Sequence, residues 1–185
     1  MGVGGTGYIR GYNNNRAFYQ RVLNIPTENI DIVTVFGSGN DMNLNASPIF
    51  DGKTWEEALG VFTDINTDTI CGCINTFLNN YYSKHPTTPI GIIAPTPWKN
   101  WPTTLISNNR FNDYTKALQT ICEYRGVPFL DLYHYSNLRP EDQTNCNACF
   151  YNGTSLDGNG DGVHPNELGH KIIASKIYEF LKTLL

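Results

Sequence analysis

Residues 30–37 read IDIVTVFG, and this stretch decides the fold class of the chain. It is a short apolar run rich in β-branched side chains, which is typical of a buried strand in a parallel sheet. Two similar runs follow, PIGIIA at 89–94 and VPFLDLY at 127–133. Gly, Pro or Asn lies near each run, as expected at the ends of strands. The chain is therefore predicted to contain three short buried strands.

Amphipathic helices are predicted between and after these strands. Apolar side chains recur at three- and four-residue spacing over 70–81, over 111–122 and again over 173–184, which favours one buried face on each helix. Thr54 and Glu57 have the spacing of a capping box and predict a further short helix. Strands that alternate with helices indicate an α/β fold, with a parallel sheet covered on both faces. In such folds the functional residues follow the carboxyl ends of the strands.

The composition excludes several classes of protein. The chain has 185 residues, of which 40% are hydrophobic and 16% charged, and its formal net charge is -4. These values favour one globular domain over residues 1–185 and exclude a disordered chain. No cluster of Lys and Arg offers a surface to nucleic acid or anionic lipid. No apolar run approaches the roughly 20 residues of a membrane-spanning helix.

The strongest chemical signal lies before the last predicted helix, where residues 161–166 read DGVHPN. An Asp three residues before a His is placed to orient the imidazole ring. In a serine hydrolase such a His takes the hydroxyl proton and returns it to the leaving group, while the acid stabilises the imidazolium. His164 and Asp161 are the candidates for these roles. The alternative is that Asp161 only caps a turn in the loop that holds His164.

A second signal follows the first predicted strand, where residues 36–41 read FGSGND. An Asn at this position can direct its amide toward a developing oxyanion, and Asn40 is the candidate for that role. The alternative is that Asn40 and Asp41 only hydrogen-bond the turn. The opening stretch GVGGTG at 2–7 lets backbone N–H groups approach a ligand closely. It lacks the lysine and the helix start that phosphate-binding loops require.

These three motifs, in this order, resemble the SGNH (GDSL-like) hydrolase family over nearly the whole chain. The resemblance implies a flavodoxin-like three-layer α/β/α fold and a serine esterase that works through an acyl-enzyme without a cofactor. It implies that His164 is the base, that Asp161 supports it, and that Asn40 and Gly5 donate to the oxyanion. The substrates implied are small acyl esters of carbohydrate or lipid-like alcohols, including acylated glycans.

The chain departs from the family pattern at two places. The glycine of the family's G-x-N-D motif falls on Ser38, and no Gly-Asp-Ser precedes the glycine turn. The first strand and the nucleophilic serine are therefore expected to lie before Met1, which would make residues 1–185 a truncated domain, inactive alone and prone to self-association through an open sheet edge. Ser38 is not expected to replace the nucleophile, because a G-x-S-x-G elbow needs glycine where Phe36 stands.

A function from another class is also compatible with the sequence. A non-catalytic glycan-binding or structural module of a secreted or bacteriophage tail protein would keep the fold without the serine. Trp98 and Trp101 follow the second predicted strand and are candidates for stacking on a sugar or covering an acyl chain. The alternative for both is core packing. His85, His134 and His170 are expected to have no function.

Two stretches of the sequence resemble parts of metal sites, and neither is expected to bind a metal. The stretch from Asp157 to Gly162 resembles the start of a calcium loop, but Leu168 stands where the bidentate Glu belongs. Five cysteines, an odd number, cannot all pair internally; they are Cys71, Cys73, Cys122, Cys146 and Cys149. Free thiols or a local Cys146–Cys149 link are favoured over a zinc site, which would need two distant loops to meet.

Overall fold

A computed structural model describes residues 4–9, 11, 16–43, 50–99, 108–152 and 159–185. The elements within these ranges are α1 (Phe18–Arg21), β1 (Val33–Phe36), α2 (Trp55–Leu59), α3 (Ile70–Lys84), β2 (Ile90–Ile93), α4 (Asn108–Arg125), β3 (Phe129–Leu130), α5 (Leu132–Tyr135), α6 (Gln143–Cys149) and α7 (Glu167–Lys182). Two 3-10 turns occupy Val22–Asn24 and Gly39–Met42. None of the helices in these ranges is long and apolar enough to cross a membrane.

The three strands form a parallel sheet in the order β1-β2-β3. Val33 pairs with Ile90 across the first interface, and Ile92 pairs with Phe129 across the second. The predicted parallel α/β fold with flanking helices is confirmed. The third strand is shorter than its apolar run, because Asp131 accepts a hydrogen bond from the backbone N–H of His134 and so begins α5.

Helices cover both faces of the sheet. The larger core lies on the face of Ile90 and Ile92, against α3 and α4. It contains the predicted helix faces, namely Ile70, Ile74, Phe77, Leu78 and Tyr81 on α3 and Phe111, Tyr114, Leu118, Ile121 and Cys122 on α4. A second core contains Ile93 together with the apolar face of α7. A Cβ on Gly91 would clash with Phe180, so α7 lies directly on β2. The sheet is thus the middle of three layers.

The outer edge of β1 is open in the described part of the chain. The N–H groups of Val33 and Gly37 donate to the carbonyls of Pro89 and Ile93, at 2.9 and 2.7 Å. In a parallel ladder the alternate residues, Thr34 and Phe36, therefore direct their main-chain groups away from β2. Both residues are exposed, Phe36 by 42%. Of the three strands predicted to be buried, β2 is fully buried, β1 alternates half-buried and exposed residues, and β3 is half-buried.

All five cysteines are free thiols and buried. Cys146 and Cys149 lie on α6 without a link between them. The described residues contain no group of three or more His, Cys, Asp or Glu placed to hold a metal ion.

Candidate active site

The candidate residues lie at the carboxyl edge of the sheet. The chain leaves β1 into the 3-10 turn Gly39–Met42, leaves β2 into residues 94–99, and leaves β3 at Asp131. All three strands run in the same direction, so these segments share one edge. The sequence predicted chemistry at this edge from the α/β pattern alone.

Asn40 is held between its own turn and the glycine-rich loop. Its backbone N–H donates to Ser38 Oγ at 3.1 Å, and its side-chain Nδ2 donates to the same oxygen at 2.8 Å. Nδ2 also lies 3.3 Å from the carbonyl oxygen of Thr6. The structure therefore brings Asn40 to the segment that carries Gly5, whose positive φ of 73° favours glycine. Both hydrogens of the Asn40 amide are engaged by protein acceptors.

The carboxylate of Asp41 holds the glycine-rich loop in place through hydrogen bonds, a role that was not predicted. Its carboxylate is fully buried and accepts hydrogen bonds from the backbone N–H groups of Tyr8 at 2.9 Å and Ile9 at 3.2 Å. The hydroxyl of Tyr114 donates to it at 2.8 Å. Burial, and then the charge of Asp41, raises the pKa of Tyr114 well above its usual value, so this hydroxyl remains a donor. The sequence signal was the position of Asp41 directly after Asn40.

His164 and Asp161 form a hydrogen-bonded pair. His164 Nδ1 lies 2.7 Å from Asp161 Oδ2, and the backbone N–H of His164 donates to Oδ1 at 2.9 Å. Val163 N–H donates to Oδ1 as well, at 2.9 Å. Gly162 has a positive φ of 67°, which lets the loop turn back on the carboxylate. The His164 side chain is 75% exposed and that of Asp161 is 16% exposed.

The electrostatics of this pair favour an ionised Asp161. Partial burial raises the pKa of its carboxyl, but hydrogen bonds from the backbone of His164 and Val163 and from the His164 ring outweigh burial and lower it. An ionised Asp161 accepts a hydrogen bond from a protonated Nδ1. In a neutral imidazole ring Nε2 is then the basic nitrogen. Nε2 of His164 has no hydrogen-bond partner among the described residues.

A second pair has the same local geometry. His134 Nδ1 lies 2.7 Å from Asp131 Oδ2, and its backbone N–H donates to Oδ1 at 2.9 Å. Its Nε2 lies 3.3 Å from Asn112 Oδ1, and the side chain is 38% exposed. The D-x-x-H spacing therefore produces an oriented imidazole at two places. The spacing alone does not identify a base.

The segment after β2 contacts both the turn that carries Asn40 and the loop that carries His164. The ring of Trp98 packs so closely on Gly39 that a Cβ at Gly39 would overlap it, and it also contacts the Phe111 ring at 5.5 Å between centroids. The next residue, Lys99, donates its backbone N–H to Gly162 O at 2.8 Å. Residues 98–99 thus connect the Asn40 turn with the His164 loop. Trp101 lies outside the described residues.

A groove of about 950 Å³ runs along the open edge of β1. Gly5, Ser38, Asn40 and Trp98 line its end at the carboxyl edge, and Phe36 lines its side. Three of the predicted site residues, Gly5, Asn40 and Trp98, therefore share one cavity, whereas His164 and Asp161 do not line it. Asp157, which begins the calcium-like stretch, lies outside the described residues, and Asp161 is bonded to the His164 ring.

The comparisons with known proteins agree with this fold. The model of the GDSL-like lipase/acylhydrolase family matches residues 1–172, and the chain belongs to that family. No curated protein matches the chain.

Solved structures with the same fold share little sequence with the chain. A protein from Lactobacillus plantarum is 23% identical with a TM-score of 0.74, covering 98% of this chain and 78% of its own. A protein described as a possible lipase from Chitinophaga pinensis is 17% identical with a TM-score of 0.63, covering 91% and 80%. The native aryl esterase of M. smegmatis is 14% identical with a TM-score of 0.62, covering 100% and 77%. At these identities the likeness supports the fold alone.

Proposed function

We propose that this member of the lipase/acylhydrolase family is a serine esterase in which His164 is the general base and Asp161 holds it. The observation that carries the proposal is the orientation of the His164 ring. Asp161 binds Nδ1, and Nε2 has no hydrogen-bond partner among the described residues. In this arrangement Nε2 takes the proton of a serine hydroxyl as it attacks an ester, and returns it to the leaving alcohol. The acyl-enzyme is then hydrolysed by the same route.

Asn40 and Gly5 are proposed to bind the oxyanion of the tetrahedral intermediate. They line the same end of the groove, and the bond from Asn40 Nδ2 to Thr6 O ties their two segments together. That bond, at 3.3 Å, is longer than the 2.8 Å bond to Ser38 Oγ. The amide hydrogen that Asn40 donates to Thr6 O is therefore the one that we expect to be donated to the oxyanion instead. Such a donor contributes roughly 3 kcal/mol to lowering the barrier.

The nucleophilic serine is proposed to lie on an additional strand beside β1. The outward main-chain groups of Thr34 and Phe36 offer a ladder for such a strand, and the groove follows the full length of β1. A strand parallel to β1 would end at the same edge as Asn40. Its last residue would then lie near the oxyanion donors and the His164 loop, where the chemistry requires a hydroxyl.

The proposed substrates are esters of a small acyl group with a carbohydrate or lipid-like alcohol. Phe36 and Trp98 give the groove an apolar wall beside the polar end formed by Ser38 and Asn40. An apolar wall suits an acyl chain or the face of a sugar ring, and the polar end suits the carbonyl oxygen. No cofactor takes part in this chemistry.

The test uses the chain extended upstream through a strand-like run that ends in Gly-Asp-Ser. We expect it to hydrolyse p-nitrophenyl acetate and to label with a fluorophosphonate probe at that serine. Replacing the serine with alanine should abolish both signals. An extended chain that carries the serine but shows neither signal would overturn the esterase proposal and favour a non-catalytic binding module.

A further inference from the structure

Ser38 has an unusual hydrogen-bonding position at the end of the groove. Its side chain is buried, with 9% of the residue exposed, and it lines the groove beside Gly5, Thr6 and Asn40. Ser38 Oγ accepts two hydrogen bonds, from the backbone N–H and from Nδ2 of Asn40, at 3.1 and 2.8 Å. Both come from the same residue, Asn40.

The hydroxyl hydrogen of Ser38 is not used in the two hydrogen bonds from Asn40. A serine oxygen has two acceptor lone pairs and one O–H donor. Asn40 occupies both lone pairs of Ser38, so the O–H hydrogen has to point away from Asn40. None of the described residues accepts it. Because this hydrogen has no protein acceptor among the described residues and Ser38 lines the groove, it is available to donate to a ligand bound there.

We propose that the Ser38 hydroxyl is a third donor at the anion-binding end of the groove, beside the amide of Asn40 and the backbone N–H of Gly5. The ligand is a small oxyanion, and in the proposed esterase reaction it is the tetrahedral intermediate. For that catalytic part the inference rests on the proposed function. Anion binding itself needs only the three donors.

Ser38 is placed as a donor and not as a nucleophile. Attack on an ester requires a base that removes the hydroxyl proton. The partners of Ser38 Oγ are an N–H group and an amide of Asn40, and both of them donate. Donation by the hydroxyl breaks no bond and needs no base. Because glycine has no side-chain donor, Ser38 adds a group that the G-x-N-D pattern lacks.

The decisive experiment measures binding of methylphosphonate to the extended chain, which is expected to be monomeric, by ³¹P NMR titration. We expect Ser38→Ala to weaken binding about tenfold, as for loss of one hydrogen bond to a charged ligand. Ser38→Thr, which keeps the hydroxyl, should bind nearly as well as the wild type. Ser136→Ala is the matched control, since Ser136 is also buried and its Oγ also accepts from a backbone N–H, that of Leu138 at 3.2 Å.

A double-mutant cycle separates donation by Ser38 from an indirect effect through Asn40. If the hydroxyl donates to the anion itself, Ser38→Ala still weakens binding in the Asn40→Ala background. If Ser38 only positions the Asn40 amide, the second substitution has no further effect, and the inference is wrong. Absence of saturable binding to the wild type also overturns it. Thermal unfolding of each variant identifies those that lose affinity through loss of fold.

The outcome is independent of the esterase assay. Methylphosphonate binding that depends on Ser38, in a protein whose extended form does not hydrolyse esters, supports the anion site and rejects the proposed function. Hydrolysis by the extended chain, with methylphosphonate binding unaffected by Ser38→Ala, supports the proposed function and rejects the role of Ser38 in anion binding.

Discussion

His164 Nδ1 lies 2.7 Å from Asp161 Oδ2, and His134 Nδ1 lies 2.7 Å from Asp131 Oδ2. The two pairs differ at the other ring nitrogen. Nε2 of His134 lies 3.3 Å from Asn112 Oδ1, whereas Nε2 of His164 has no hydrogen-bond partner among the described residues. A general base needs that nitrogen free to accept a proton. The chain thus contains a matched control for its own proposed catalytic pair.

In the extended chain, His164→Ala should lower kcat for p-nitrophenyl acetate by about three orders of magnitude or more, because it removes the base itself. Asp161→Asn should lower it less, since the imidazole remains but its orientation and charge support are weakened. His134→Ala should leave kcat unchanged. A comparable loss in both histidine variants would show that the assignment of His164 is wrong.

The pH dependence of stability should report Asp161. Its pKa is lowered in the folded state, so the ionised carboxylate stabilises the fold. This contribution is present above the unfolded pKa of about 4 and is lost as the pH falls through the lower folded pKa. Urea unfolding should therefore show wild type more stable than Asp161→Asn at neutral pH, with the gap closing in acid.

Asp51→Asn, at an exposed surface carboxylate, is the control for that measurement. The stability of Asp51→Asn in urea should match that of the wild type across the same pH range. A gap between wild type and Asp161→Asn that widens in acid would contradict the predicted sign.

Asn40→Ala should reduce kcat by about two to three orders of magnitude with little change in KM, as expected for a donor that acts mainly on the oxyanion. The substitution also removes the bonds from Nδ2 to Ser38 Oγ and Thr6 O, so it should lower the free energy of unfolding by about 1 kcal/mol per bond. Turnover and unfolding should be measured on the same samples. A stability loss with near-normal turnover would mean that Asn40 only holds the loop.

Sequence patterns predicted the elements that bury a complete apolar face. The helices around Phe77 and Leu118 have apolar residues at three- and four-residue spacing, and the strand around Ile92 is a short apolar run flanked by proline. The short helix α6 was missed, because its seven polar and small residues lack a long apolar repeat. Asp142 N-caps it through the backbone N–H of Asn145, a local signal too common to be decisive.

The site could be predicted only where its contacts are local in sequence. Asp161 and His164 are three residues apart, so spacing predicts their contact. The bond from Tyr8 N–H to Asp41 joins residues 33 positions apart, and no local pattern encodes it. The same spacing also produced the His134 pair, which shows that a local motif specifies geometry before it specifies function.

The buried thiols should be unreactive in the folded chain. Burial raises the pKa of Cys71, Cys73 and Cys122 to about 12, so almost no thiolate forms at pH 8. We expect these three to resist iodoacetamide in buffer and to react fully in urea, with the modified residues located by mass spectrometry. Rapid labelling of Cys122 in the native chain would contradict the burial of α4 against the core.

The open edge of β1 leads to the riskiest prediction. Thr34 and Phe36 present main-chain N–H and C=O groups that pair with nothing else in the described residues, beside an exposed Phe36 ring. An unprotected edge of this kind recruits another strand. The 185-residue chain should therefore self-associate in sedimentation experiments, and the extended chain should be monomeric and probe-reactive.

The variant that tests the edge is Thr34→Lys, since a lysine on an exposed edge position opposes pairing with a second chain. The Thr34 side chain is exposed and its main-chain groups do not bond β2, so the β1-β2 ladder should survive. Thr34→Val keeps the strand preference without the charge and serves as the control. Thr34→Lys should shift the 185-residue chain toward monomer while Thr34→Val does not. If the short chain is already monomeric, cooperatively folded and reactive with the fluorophosphonate, the serine lies within residues 1–185 and its placement beside β1 is wrong.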